Sequence, residues 1–188
     1  MRELGITGAF VSEHKVHGDS RGHFREWFKK SDFEKAGVDF DIAQANYSMS
    51  VRGVLRGVHF SISPKGQSKL VTCAYGEILD VLIDLRIDSP TYLKVEQVPL
   101  KAVSGDVLFI PTGVGHSFLV LSDNAAVTYL TSSEFDPDLE KTVSPLDKEL
   151  GITWPALDGV ELSLSDRDRS APSLAEAKTL GHLPVFKA

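Results

Sequence analysis

Between residues 42 and 133 the chain breaks into eight short runs rich in Val, Ile, Leu, Thr and Tyr, and this pattern constrains the fold most. The runs are Ile42–Met49, Val54–Ser61, Ser68–Tyr75, Ile78–Arg86, Leu93–Leu100, Asp106–Ile110, His116–Ser122 and Ala126–Ser133. Gly, Asp, Asn and Ser separate them, as in Tyr75-Gly76-Glu77, Ser104-Gly105-Asp106 and Ser122-Asp123-Asn124, which read as tight turns. Parallel strands need a crossover of a dozen residues or more, and these gaps are too short for one. The pattern therefore predicts antiparallel pairing in an all-β sandwich or barrel.

Only two segments read as helix. Ser31-Asp32-Phe33-Glu34 has the form of a capping box opening a helix that stops near Gly37, and Ser173-Leu174-Ala175-Glu176 opens a second that stops at Gly181. Residues 136–172 are rich in Pro, Asp and Ser but keep Leu150, Ile152 and Trp154, so they read as an ordered arm over the barrel mouth. With 188 residues and 42% hydrophobic content, the expectation is one domain, residues 1–188, with a barrel core over about 40–135 and an arm and short helix over about 136–188.

Charge and cysteine content narrow the class of partner. Twenty Lys and Arg against 26 Asp and Glu give a net charge of −6 with no basic run, the opposite of a nucleic-acid binder's balance. The single cysteine, Cys73, excludes an intrachain disulfide and fits a reducing compartment. No apolar run approaches the ~20 residues of a membrane span, and the N-terminus lacks the apolar core of a signal peptide. The expected location is cytoplasmic, with neither nucleic acid nor membrane as partner.

Among the six histidines, His14, His17, His23, His59, His116 and His182, none forms an H-x-H pair or a pair at helical metal spacing, so the expectation is no metal. His59 sits in the apolar run Leu55-Arg56-Gly57-Val58-His59-Phe60, where a lone histidine is by default a satisfied core residue. Arg56 shares that run and wants an anionic partner if buried. Strict alternation puts Arg56 and His59 on opposite faces, unless Gly57 marks a bulge that turns both inward. His116 opens an apolar run after a Gly-rich approach. Lys69 is the only charge between Gln67 and Glu77, either snorkelling to water or presented inside a barrel. Read alone, Tyr129 is a core tyrosine, Asp166-Arg167-Asp168-Arg169 a solvated charge cluster, and Arg21, Gly22 and Glu26 an ordinary turn and strand.

Taken in order, the motifs say more. Asp19-Ser20-Arg21-Gly22-His23-Phe24-Arg25-Glu26, Gln44-Ala45-Asn46-Tyr47-Ser48, Leu55-Arg56-Gly57-Val58-His59-Phe60 and Asp84-Leu85-Arg86 come first, the last followed by Ser89-Pro90-Thr91. Ile110-Pro111 through His116-Ser117-Phe118, Leu150-Gly151-Ile152-Thr153-Trp154-Pro155 and Leu164-Ser165-Asp166-Arg167-Asp168 complete the set. Over about residues 6–184 this resembles the dTDP-4-dehydrorhamnose 3,5-epimerase family.

The resemblance implies a cupin-type β jelly roll with short peripheral helices, a homodimer, no cofactor and a dTDP-sugar substrate. It implies His59 as base, Asp168 as its partner, Lys69 as an active-site cation and Tyr129 as acid. Substrate contacts would fall on Arg21, Glu26, Gln44, Asn46, Arg56, His116, Glu140 and Arg167. The implied reaction epimerises a 4-keto-6-deoxy sugar at C3 and C5. A mono-epimerase is the near alternative, and a metal-dependent cupin or a non-catalytic sugar-nucleotide binder the more distant ones. The sequence departs from the family pattern in three places: Ser61 stands where Gln is common, His23 where Phe is frequent, and Glu134-Phe135 replaces a frequent aromatic pair.

Overall fold

In a computed structural model, which describes residues 1–62 and 66–187, all eight expected runs are strands. They are β5 (Gln44–Val51), β6 (Leu55–Ser61), β7 (Lys69–Tyr75), β8 (Glu77–Asp84), β9 (Val95–Lys101), β10 (Val107–Ile110), β11 (Val114–Val120) and β12 (Asn124–Thr131). Four short strands precede them: β1 (Arg2–Glu3), β2 (Phe10–Ser12), β3 (Val16–Asp19) and β4 (Gly22–Arg25). One more, β13 (Glu140–Thr142), follows.

Eleven of the strands form two facing sheets, ordered β1-β2-β10-β7-β12-β5 and β13-β6-β11-β8-β9, and β3 and β4 pair as a separate hairpin. Every ladder pairing is antiparallel. The inner eight strands, β5 to β12, alternate between the sheets except at the β8–β9 hairpin, which stays in the second sheet, and this is the strand order of a jelly roll. The sheets do not close into a ring. Strands β1 and β5 edge one, β13 and β9 the other.

Strand alternation sorts the apolar residues into three cores. Val71, Cys73, Leu108 and Val127 of the first sheet meet Ile78, Leu82, Phe118 and Val120 of the second between the sheets. On the outer face of the second sheet, Val58, Phe60, Val81 and Ile83 are covered by Val143, Leu150 and Leu174 of the C-terminal arm, with Trp154 against them. That arm is ordered, but its apolar residues cover the outer face of the sheet and not the barrel mouth, because Leu150, Trp154 and Leu174 find their apolar partners there, and it holds β13 against β6.

The third cluster corrects the first helix. Helix α1 spans Lys30–Lys35 with Lys29 as an N-cap whose side chain makes no cap bond, so Ser31 lies inside the first turn and not at the cap. Six residues are far below the ~12–15 an isolated helix needs. Packing holds it instead: Phe33 is buried with Phe10, Phe40 and Phe109, and each buried ring contributes roughly 1.5–3 kcal/mol. Helix α3 (Leu174–Thr179) begins as read, with a complete Ser173/Glu176 capping box. Between them, Asp166–Arg169 forms a one-turn helix, α2, where the sequence alone suggested a solvated cluster.

Candidate active site

The polar end of the space between the sheets begins at Gly57. His116 pairs with His59 and Phe118 with Arg56, so β6 carries one residue more than β11 over this stretch. This is a β-bulge, and it carries Arg56 and His59 round to the same face, the alternative to strict alternation that Gly57 left open. Gly57 has φ +106°, and a Cβ there would overlap the His116 carbonyl oxygen and lie 2.8 Å from the Ser117 Cα. No other residue fits that bend.

His59 stands on β6 with its side chain one-third exposed, and its Nε2 lies 2.6 Å from Oδ1 of Asp168. Helix α2 exists to place that carboxylate. The Ser165 hydroxyl accepts from the Asp168 backbone N–H at 3.1 Å and caps the turn, leaving Asp168 only 3% exposed. Burial alone would push its carboxyl up, but hydrogen bonding to His59, with Ser165 and the Gly57 backbone N–H close by, holds it below the ordinary carboxylate range.

Beside His59, on β11, His116 forms a second pair of the same kind, Nε2 to Asp80 Oδ2 at 2.8 Å. Asp80 is completely buried, and its other oxygen meets no hydrogen-bond partner among the described residues. Sequence reading missed Asp80. The signal was present, since it is a lone carboxylate between Ile78 and Leu82 on the apolar inner face of β8, the argument that singled out Lys69.

The opposite sheet contributes Lys69 and Tyr129. Thr131 pairs with Lys69 and Tyr129 with Val71, so Lys69 and Tyr129 lie on one face of neighbouring strands. Lys69 is buried, its Nζ 3.8 Å from Oε2 of Glu140, and the Ser61 hydroxyl donates to Oε1 of the same carboxylate. Burial draws the Lys69 ammonium below its ordinary value, Glu140 opposes this, and Arg167 adds to it. Burial raises the Tyr129 phenol, with Arg56 opposing and Glu140 reinforcing, so Tyr129 stays protonated at neutral pH. On β5, Gln44 donates to Asn46 at 2.8 Å, and Ser50 accepts from Arg56 at 3.0 Å.

Ten of the twelve candidate residues thus lie along the two inner faces or on α2 beside them. Arg21 and Glu26 do not. Arg21 is 88% exposed at the tip of the β3–β4 hairpin and bonded to Asp19, and Glu26 lies just beyond β4 facing Lys29. The hairpin is moored on the outer side of β7, where Arg25 donates to Thr72 Oγ1 and to the Cys73 carbonyl.

Among the described residues no three His, Cys, Asp or Glu side chains converge as metal ligands, and no helix is long and apolar enough to cross a membrane. A histidine paired with a carboxylate, with a protonated phenol and a buried ammonium on the facing sheet, is a set of groups that can move protons without changing oxidation state, the chemistry of an isomerase. Known proteins narrow that class. The chain belongs to the dTDP-4-dehydrorhamnose 3,5-epimerase family, whose model matches residues 3–176.

Two curated relatives show the family's range. The dTDP-4-dehydrorhamnose 3,5-epimerase of Mycolicibacterium smegmatis is 48% identical over 98% of this chain and 90% of its own. The dTDP-4-dehydro-6-deoxyglucose 3-epimerase of Streptomyces bikiniensis is 46% identical over 100% of this chain and 95% of its own. The crystal structure of a 3'-monoepimerase from Streptomyces bikiniensis, ChmJ, in complex with dTDP-quinovose superposes with a TM-score of 0.93 at 46% identity, over 98% of this chain and 93% of that one.

Proposed function

We propose that the protein epimerises dTDP-4-keto-6-deoxy-D-glucose at C3 and C5, giving dTDP-4-keto-L-rhamnose, with no cofactor and no metal. The observation that carries this reading is the His59–Asp168 pair on one inner face, with Tyr129 and Lys69 on the other. A C4 ketone acidifies the hydrogens on C3 and C5, because the electrons of the broken C–H bond spread onto the ketone oxygen as an enolate. With Nε2–H donated to Asp168, Nδ1 of His59 carries the free lone pair and takes the proton. Asp168 then stabilises the imidazolium.

The Lys69 ammonium faces the enolate oxygen, where one well-placed donor is worth about 3–4 kcal/mol. Tyr129 returns a proton to the opposite face of the ring, and configuration inverts. At each inverted carbon one proton leaves and one arrives, so no oxidant or reductant is needed. Arg56 and Arg167 hold the diphosphate, His116 supports the sugar, and Gln44 and Asn46 face the nucleotide.

Arg21 and Glu26 fit this reading through a homodimer. The edge strand β5 leaves Tyr47, Met49 and Val51 exposed on one face, and Phe24 on the hairpin is 70% exposed. An edge strand with an apolar face invites a second chain. With the hairpin moored outside its own sheet, its tip serves the nucleotide site of the second copy. Light scattering should give twice the chain mass, and Met49→Glu should give the mass of one chain; a monomeric wild type would overturn the dimer. The same reading places the enzyme in the cytoplasm, free of membrane and nucleic acid.

The 3-epimerase relative and the ChmJ structure favour a second reading, inversion at C3 alone. Proton NMR of dTDP-4-keto-6-deoxyglucose with the enzyme in D2O, with product trapped by a reductase, separates the two. Deuterium at C3 and C5 with dTDP-L-rhamnose after reduction supports the first. Deuterium at one carbon and a different reduced sugar supports the second, and no exchange at either overturns both.

A further inference from the structure

The buried Lys69 ammonium needs a counter-charge held in place, and the groups around it show where it comes from. On β10 and β12 its strand partners are Ile110 and Thr131, neither charged. From α2 it feels Arg167, a like charge, and from β13 Glu140 is, among the described residues, the opposite charge acting on it. The β6 strand contributes Ser61, with His59 two residues earlier. Glu140 pairs with Ser61 across the β13–β6 ladder, so the two side chains leave neighbouring strands side by side. Ser61 and Glu140 are both buried, and the Ser61 hydroxyl occupies Oε1 of Glu140 while Oε2 is turned to Lys69.

We propose that Ser61 and Glu140 are positioning residues for Lys69: the Ser61 hydroxyl locks the Glu140 carboxylate in the orientation that keeps the Lys69 ammonium charged inside the site. This rests on the role of Lys69 in the reading above. Without the hydroxyl, Oε1 loses its buried donor and the carboxylate has no fixed rotamer. Lys69 then meets its counter-charge for only part of the time, while burial and Arg167 continue to favour the neutral amine. A neutral amine holds an enolate oxygen less well, so the loss falls on kcat and much less on KM.

The test compares full-length wild type with Ser61→Ala, Ser61→Thr and Glu140→Gln. Cyanate is small and reacts with the neutral amine, so its rate of carbamylation at Lys69, read by peptide mass spectrometry, reports the uncharged fraction with no substrate present. At about pH 8 that rate should rise roughly tenfold in Glu140→Gln, one pKa unit, and about threefold in Ser61→Ala. Ser61→Thr keeps the hydroxyl and should stay near wild type. The alkaline limb of the kcat profile should move to lower pH in the same order. Wild-type carbamylation and pH profile in Ser61→Ala would overturn the proposal, as would Ser61→Thr behaving like Ser61→Ala. If the wild type turns over no 4-keto sugar, the functional reading fails, and the carbamylation rates still judge the clamp by themselves.

Discussion

His59 and His116 face each other across the β6–β11 ladder, and each Nε2 is held by its own buried aspartate, Asp168 at 2.6 Å and Asp80 at 2.8 Å. The two pairs look alike but differ in surroundings. His59 is one-third exposed, whereas His116 is nearly buried and its aspartate is wholly so. A base must be reached by its substrate, and a group that orients need not be. The difference supports the proposed division of roles, with proton removal at His59 and support from His116.

His59→Ala should lower kcat by about 10²–10⁴-fold, the usual worth of a general base, with nucleotide binding retained. Asp80→Asn keeps the shape of the side chain but forces a change in the His116 hydrogen bond. A lost buried partner is worth about 1–3 kcal/mol, so kcat/KM should fall roughly tenfold to a hundredfold. Steady-state kinetics with circular dichroism as a fold control measures both. A near-normal rate in His59→Ala would refute the base assignment.

Tyr129→Phe separates the two halves of the reaction. The base still removes and returns a proton on its own face, so deuterium from D2O should enter the sugar while inversion stops. Proton NMR of the recovered substrate reads both at once. Full epimerisation by this variant would remove Tyr129 as the acid.

Gly57→Ala tests the bulge. A Cβ at φ +106° would overlap the neighbouring strand's backbone at His116 and Ser117, and backbone there has no room to give. Destabilisation of about 3 kcal/mol or more is expected, together with loss of turnover as His59 and Arg56 leave their shared face. Denaturant titration gives the first quantity and kinetics the second.

Asp84 carries no chemistry but joins distant parts of the chain. Arg86 binds it through two nitrogens at 2.8 Å, and Ser89 and Thr91 each donate to Oδ2 at 2.6 Å. Arg86 also donates to the Thr7 carbonyl and lies 5.0 Å from the Phe186 ring, so both termini depend on this knot. Burial alone would raise the Asp84 carboxyl, but the bonds from Arg86, Ser89 and Thr91 hold it below the ordinary range. Its stabilisation is therefore complete above the unfolded-state value of about 4 and is lost as pH falls through the lower folded value. Breaking a buried pair costs about 3–5 kcal/mol, so Asp84→Asn should lower Tm by roughly 10 °C at neutral pH. Thermal melts across pH should show the gap between variant and wild type closing in acid.

The eight core strands were legible because strand alternation and turn residues are local signals, and each run of the sequence became one strand of the jelly roll. The site was legible only in part. Lys69, and in retrospect Asp80, betray themselves as charges on apolar strands, and Gly57 raised the bulge as an alternative to strict alternation without deciding it. Asp168 lies 109 positions from His59, and nothing local distinguishes it from Asp166 in the same charged run; only its burial by the folded arm does. The Ser31 cap failed for the same reason, since the boundaries of so short a helix follow the packing of Phe33 and not the best local cap. What the sequence by itself determined is the strand pattern and the residue types available for proton transfer. The tertiary structure decided which charges lose their water and meet a partner, because desolvation and pairing arise only where distant strands close on one another.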